Sequence, residues 1–194
     1  DAVQWEKTRP PRAWVAAARA ATSGEGARKS SLGATQSRSA SAASSRPWST
    51  CRSKPDAPRT RPIAAITGPN RTTTAVRLVA ARARANDWCD GFNCTDGVFI
   101  GRKAVASGDY SGPAGTRLVL RNTSVEAAVL ETARGGILRR GLAADRADVA
   151  IVTNISPDHF GEYGIDDLEG LADVKLSVAH LLDEGGLLVL NAGD

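Results

Sequence analysis

Apolar positions fall into two regimes along this chain. Over residues 1–60 they are sparse and aperiodic: of Val, Ile, Leu and Phe, only Val3, Val15 and Leu32 occur. From Arg61 onward, short apolar runs recur between Gly, Pro and Asn breaks, the punctuation of regular secondary structure. Pro62 to Thr67 is such a run, ended by Gly68-Pro69-Asn70, and predicts a buried strand. Thr72 to Ala85 carries Val76, Leu78, Val79 and Ala83 and predicts a helix. Val98-Phe99-Ile100 predicts a short strand, with Lys103 to Ala106 as its partner. The stretch from Gly108 to Gly115 reads as a loop, and Thr116 to Arg121 as a short helix. Val125 to Leu130 predicts a strand that ends at Glu131, and Gly135-Gly136 opens a short helix running to Leu142. Ala147 to Thr153 is almost wholly apolar, as a strand buried on both faces requires. Asp166 to Leu182 predicts a helix capped by Asp166 or Asp167, and Leu187 to Leu190 a last strand.

Alternating strands and helices with continuous apolar strands predict an α/β fold, a mostly parallel sheet with flanking helices. In such sheets ligands sit beyond the carboxyl ends of the strands. Polar residues gather at those ends: Gly68-Pro69-Asn70, Glu131, and Asn154 to His159. Residues 61–194 are therefore expected to fold as one domain, and residues 1–60 to form a disordered tail, since they cannot bury enough apolar surface to offset the entropy of ordering.

Composition narrows the function classes. The 194 residues suit one ordinary domain and a tail. No apolar run approaches the ~18 residues of a membrane span. Cys51, Cys89 and Cys94 match neither a disulfide scaffold nor a zinc pattern. No secretory leader is apparent, so a reducing, cytoplasmic setting is expected. The first residue is Asp1 rather than Met, as in a fragment. The net charge of +4 conceals a division. Residues 1–60 hold eight Arg and three Lys against four acids, whereas residues 61–194 hold 14 basic and 17 acidic residues. A solvated tail, a basic arm on nucleic-acid phosphates, a transit peptide and the product of a shifted reading frame all suit the first segment. The scattered Arg residues and the absence of an aromatic-basic motif argue against nucleic acid.

The stretch Gly68-Pro69-Asn70-Arg71-Thr72-Thr73-Thr74 lies between a predicted strand and a predicted helix. That is the layout of a phosphate-binding loop, in which backbone N–H groups hold the anion and a hydroxyl reaches Mg²⁺. The usual Gly-Lys pair before the hydroxyl is missing, and an ordinary capped turn would read the same way.

Further segments carry a resemblance: Thr95-Asp96-Gly97-Val98, Gly108 to Pro113, Leu130 to Gly141 (Leu-Glu-Thr-Ala-Arg-Gly-Gly-Ile-Leu-Arg-Arg-Gly), Val152 to Ile155, Asp158-His159, Gly161 to Leu168, Val174-Lys175 and Val189 to Ala192. Residues 62–194 resemble the central, ATP-binding domain of the Mur ligase superfamily, most of all the Mur-ligase-like part of the cyanophycin synthetases. That resemblance implies a P-loop-type domain using ATP and Mg²⁺. It implies a ligase that phosphorylates a carboxylate and lets an amine attack the acyl phosphate, so the partners would be carboxylate- and amine-bearing small molecules or peptides. Membranes are excluded as partners, nucleic acid is disfavoured, and a homo-oligomer stays open.

The resemblance also implies residue roles. Gly68, Asn70, Arg71, Thr72, Thr73 and Thr74 would form the phosphate loop, and Asn191 would lie near the adenine. Without gaps, Arg71 takes the place of the loop Gly and Thr72 that of the Lys; with a one-residue shift, Arg71 replaces the Lys. Thr73, Glu131, His159 and Lys175 would surround the metal, the last of them on or beside the apolar face of its helix. Glu131, His159 and Lys175 would be the catalytic set. Thr95 is a weaker candidate for a metal or phosphate contact, and Arg134, Arg139 and Arg140 for an anionic substrate. His180 has no motif. The altered loop, and Gly193 where the family has Asp, support a second reading: a degenerate, non-catalytic nucleotide-binding or interaction module.

Overall fold

The structure, a computed structural model, describes residues 61–157 and 160–191. The elements are β1 (Ile63–Thr67), α1 (Thr72–Arg84), β2 (Asp90–Cys94), β3 (Gly97–Ile100), β4 (Lys103–Ser107), α2 (Pro113–Arg121), β5 (Ala127–Glu131), α3 (Arg134–Arg140), β6 (Ala147–Val152), α4 (Leu168–Leu176) and β7 (Leu182–Leu190). A 3₁₀ segment, Ser177–Leu181, joins α4 to β7. The seven strands form one sheet in the order β4-β3-β2-β5-β1-β6-β7. From β2 to β7 all neighbours are parallel, whereas β3 and β4 extend the sheet antiparallel beyond β2. The fold is the mostly parallel α/β sheet that the apolar pattern predicts.

Side chains alternate across the sheet with the period of two that strands impose. On one face Ile66, Phe92 and Val129 pack against Val76 and Ala80 of α1. On the other, Ala65, Ala128 and Leu130 pack with Val119 of α2 and Leu181. Ala150 and Val152 pack with Val178, and with Ile137 of α3, beside that second layer. The sheet is thus covered on both sides, and its carboxyl edge is left for the loops.

Four local expectations are corrected. β2 was not legible in the sequence, because Asp90-Gly91-Phe92-Asn93-Cys94 has only Phe92 and Cys94 as apolar positions among Asp, Gly and Asn. All five of its residues are nevertheless buried. Its Asp90 carboxylate and Asn93 amide nitrogen find partners only in the fold, while Asn93 Oδ1 is buried without one. Asp90 accepts from Arg84 Nε at 2.9 Å and Nη2 at 2.6 Å, and Asn93 Nδ2 donates to the Tyr110 and Glu131 carbonyls. Next, α2 starts at Pro113 rather than Thr116, since proline's fixed φ suits the first helical turn. The helix predicted from Asp166 to Leu182 starts at Leu168, with the Asp167 carboxylate accepting from Gly170 N at 2.7 Å. It tightens into the 3₁₀ segment after Leu176. Last, β7 begins at Leu182 instead of Leu187. Its pairing with β6 jumps from Ala147–Leu182 to Val149–Leu187, a break that Gly185 accommodates with φ 89°.

Candidate functional site

The carboxyl ends of the parallel strands open into a cleft of about 750 Å³. Its floor is Gly68, Pro69 and Arg71 after β1, with Thr72, Thr73 and Thr74 of α1. Thr95 after β2 and Glu131 at the end of β5 form one side. Residues 109–114, then Ala133, Arg134, Gly135, Gly136, Arg139, Arg140 and Glu162, form the opposite wall.

The floor is tightly built. A Cβ on Gly68 would stand 1.9 Å from Thr153 Oγ1, so the backbone of this turn passes where only glycine fits. Thr153 Oγ1 in turn donates to the Asn70 carbonyl at 3.1 Å. Arg71 precedes α1 with φ 61° and ψ 9°, left-handed backbone that favours glycine. Thr72 is buried, and its Oγ1 donates to the Gly68 carbonyl at 3.0 Å. The hydroxyl is therefore turned back onto the loop and brings no charge to the cleft.

Thr73 faces the cleft. Its Oγ1 donates to Glu131 Oε2 at 3.0 Å and lies 2.9 Å from Thr95 Oγ1. A hydroxyl has one proton to give. With that proton on the carboxylate, Thr95 is the donor of the second bond. Glu131 is only 5% exposed. Burial pushes its carboxyl above the ordinary carboxylate range. The hydrogen bonds from Thr73 and from the Thr95 backbone oppose that shift, while the charges of Asp109 and Asp96 add to it. An ionised Glu131 in this position is short of positive charge.

The opposite wall is held by close backbone approaches. A Cβ on Gly115 would meet the Tyr110 carbonyl oxygen at 2.2 Å, and one on Gly136 would meet Pro113 Cδ at 2.7 Å. Ala133 N donates to the Ser111 carbonyl at 2.8 Å. Asp109 Oδ1 accepts from the Ser111 amide at 3.0 Å and hydroxyl at 2.7 Å. Arg134 Nη2 donates to Glu162 Oε2 at 2.6 Å, and the Arg139 guanidinium lies 5.6 Å from the Tyr163 ring centre.

Of the residues singled out in the sequence, Gly68, Arg71, Thr72, Thr73, Thr74 and Glu131 all line the cleft. Thr95, Arg134, Arg139 and Arg140 line it as well. Asn70 is exposed and contributes its carbonyl to Thr153 rather than a side chain to the wall. Lys175 is buried on α4 at 2% exposure, off the cleft wall. Asn191 is exposed just past β7 and also lies off that wall. His159 lies outside the described residues, as do residues 1–60. Sequence reasoning gave no site role to Asp109, Tyr110, Ser111 or Glu162. The turn-forming run before Pro113 marked a loop, but its folding back onto β5 could not be read from it. Among the described residues, no three His, Cys, Asp or Glu side chains converge on a metal-sized point. No described helix is long and apolar enough to cross a membrane.

Comparison with known proteins agrees with this architecture. Residues 66–194 match the family profile of the Mur ligase middle domain. The cyanophycin synthetase of Synechocystis sp. is 47% identical over 133 residues, 69% of this chain and 15% of that protein. The UDP-N-acetylmuramoylalanine–D-glutamate ligase of Chlorobium luteolum is 32% identical over 132 residues, 68% of this chain and 26% of its own. Among solved structures, UDP-N-acetylmuramoyl-L-alanyl-D-glutamate–2,6-diaminopimelate ligase shares the fold, with a TM-score of 0.53 at 24% identity over 69% of this chain and 27% of that one. The chain spans about 15% of the length of the cyanophycin synthetase it matches. With the profile covering more than half of its residues, on a sheet whose carboxyl edge carries the Gly68–Thr74 turn and Glu131, the chain belongs to the Mur ligase family.

Proposed function

We propose that this chain provides the nucleotide-binding part of an ATP-dependent acid–amine ligase of the cyanophycin synthetase type, working through an acyl phosphate. The observation that carries the reading is the Thr73–Glu131 hydrogen bond, which joins the first turn of α1 to the end of β5 at the floor of the cleft. The amino end of α1 offers backbone N–H groups to an anion. Thr73 and Glu131 offer two hard oxygen donors. That set fits Mg²⁺, which takes one or two protein oxygens and completes its shell with phosphate and water. Thr73 and Glu131 would hold the ion, and when bound it would neutralise charge on the transferring phosphoryl group. By the family resemblance, His159 and Lys175 belong to the same ligand and catalytic set, and Asn191 to the adenine side. Arg139 and Arg140 give the facing wall a charge suited to a carboxylate-bearing substrate, which a phosphoryl group on the floor would activate for attack by an amine. The Glu131 carboxylate itself is shielded from bulk water. A cytoplasmic setting, where ATP is at hand, suits this chemistry.

The Thr72 geometry favours a second reading, a degenerate nucleotide-binding or interaction module without catalysis. A phosphate loop places a Lys where Thr72 turns its hydroxyl back on Gly68. Calorimetry of Mg·ATP binding on the full chain, beside Arg71→Gly/Thr72→Lys, separates the readings. The ligase reading expects the parent to bind and the double variant to bind more tightly, by about tenfold or more for a restored charged hydrogen bond. Binding by the variant alone supports the degenerate module. Binding by neither, with both folded, overturns the nucleotide site.

A further inference from the structure

We propose that Arg77 is a positioning residue of the cleft: its pairing with Asp96 holds the β2–β3 turn so that the Thr95 hydroxyl meets Thr73 beside Glu131. The inference rests on the phosphate-loop reading above and concerns a residue outside that loop. Arg77 lies one helical turn beyond Thr73 on α1, so the two side chains leave the same face. They reach the same two-residue turn. Thr73 Oγ1 is 2.9 Å from Thr95 Oγ1, and Arg77 Nη2 is 2.7 Å from Asp96 Oδ2.

The guanidinium is fixed from a second direction. It lies 5.2 Å from the Phe99 ring centre and 5.9 Å from that of Phe92, and these rings stack at 4.8 Å. Phe92 belongs to β2 and Phe99 to β3, so one side chain of α1 spans both strands and the turn between them. The ion pair is about half exposed, with side chains at 47% and 57%. An exposed pair adds little to stability, so its main consequence here is where it puts the turn.

That placement matters at Thr73. The Thr73 proton goes to Glu131, and the bond from Thr95 occupies one of the two lone pairs on the same oxygen. The remaining lone pair is the one a cation can take. A β2–β3 turn released from α1 would loosen the Thr95–Thr73 contact while leaving the loop backbone at the amino end of α1 untouched. The signature is therefore selective: the metal-dependent share of nucleotide binding falls, and the metal-free share does not.

The test uses the full chain as Arg77→Ala, Arg77→Lys, Asp96→Asn and Arg77→Ala/Asp96→Asn, with ATP titrated in Mg²⁺ and in chelator. Arg77→Ala is expected to cut the affinity gained from Mg²⁺ by about tenfold, the scale for removing support from a metal ligand. Metal-free ATP affinity and the circular dichroism spectrum should stay as in the parent. Arg77→Lys should recover part of the gain, Asp96→Asn should reproduce the loss, and the double variant should be no worse than either single one. An equal loss with and without Mg²⁺, or no loss in either, overturns the inference. Thr73→Ala separates the two levels. If it abolishes the Mg²⁺ gain while Arg77→Ala leaves it intact, only the role of Arg77 fails. If the parent shows no Mg²⁺ gain, the loop reading fails and the role of Arg77 with it.

Discussion

Arg71 and Glu131 each hold an unfavourable state in the folded protein. Arg71 adopts φ 61° at the entry to α1. A residue with a Cβ pays about 1–2 kcal/mol for left-handed backbone, part of which returns on substitution as glycine's extra unfolded entropy. Arg71→Gly should therefore stabilise the chain by about 0.5–1 kcal/mol, a rise of a few degrees in melting temperature for this size. An unchanged or lower melting temperature would show that the Arg71 side chain makes a compensating contact. Glu131 is the electrostatic counterpart. Its folded-state carboxyl sits above the ordinary value of 4.5 because of burial. A raised acid contributes stability that is fully present below the unfolded pKa and is lost as pH rises through the folded one. Glu131→Gln keeps an oxygen for Thr73 and removes the titration. Without Mg²⁺, the melting temperature of the variant relative to the parent should climb from pH 4 to pH 7. A difference that stays constant over that range would mean that Glu131 titrates normally.

At the scale of elements, the polar strand β2 and the facing wall depend on contacts that propensity does not encode. Asp90 is fully buried and receives two hydrogen bonds from Arg84, whose side chain is 24% exposed. Removing one member of such a pair leaves a buried charge uncompensated, at a cost of about 3 kcal/mol. Arg84→Met should destabilise the protein by that amount in denaturant titration, and Arg84→Met/Asp90→Asn should recover much of it. Equal losses in the single and double variants would refute the pairing argument. α2 packs with its Gly115 against the Tyr110 carbonyl, where a Cβ would approach to 2.2 Å. Because the obstacle is backbone, Gly115→Ala should cost about 1–3 kcal/mol, the range for overpacking. The same substitution should displace the loop of Asp109 and Ser111 and, on the proposed nucleotide-binding reading, weaken Mg·ATP binding, whereas Ala114→Gly in the exposed neighbouring position should leave the loop in place.

At the scale of the whole molecule, the parallel frame was legible because its strands are apolar runs with sharp ends: Ile63–Thr67, Ala127–Glu131 and Ala147–Val152 appear nearly as the pattern predicts. The same runs place Gly68 and Glu131 at one edge, since parallel strands end on the same side. The stretch Gly68–Thr74 was legible as a strand-to-helix turn, while the role expected of Thr73 within it came from the family resemblance. The apolar pattern and the Gly-Pro breaks thus determined by themselves the fold class, the sheet edge that carries the cleft, and most of the residues on its floor. Tertiary structure alone decided the rest. It placed β2, whose Asp90 and Asn93 are tolerated in the interior only because Arg84 and the Tyr110 and Glu131 carbonyls meet them. It brought Asp109, Ser111 and Glu162 to the far wall. Local patterns report which surfaces must be buried. A buried polar group is explained only by the partner that satisfies it, and such partners are distant in sequence, as Thr73 and Glu131 are.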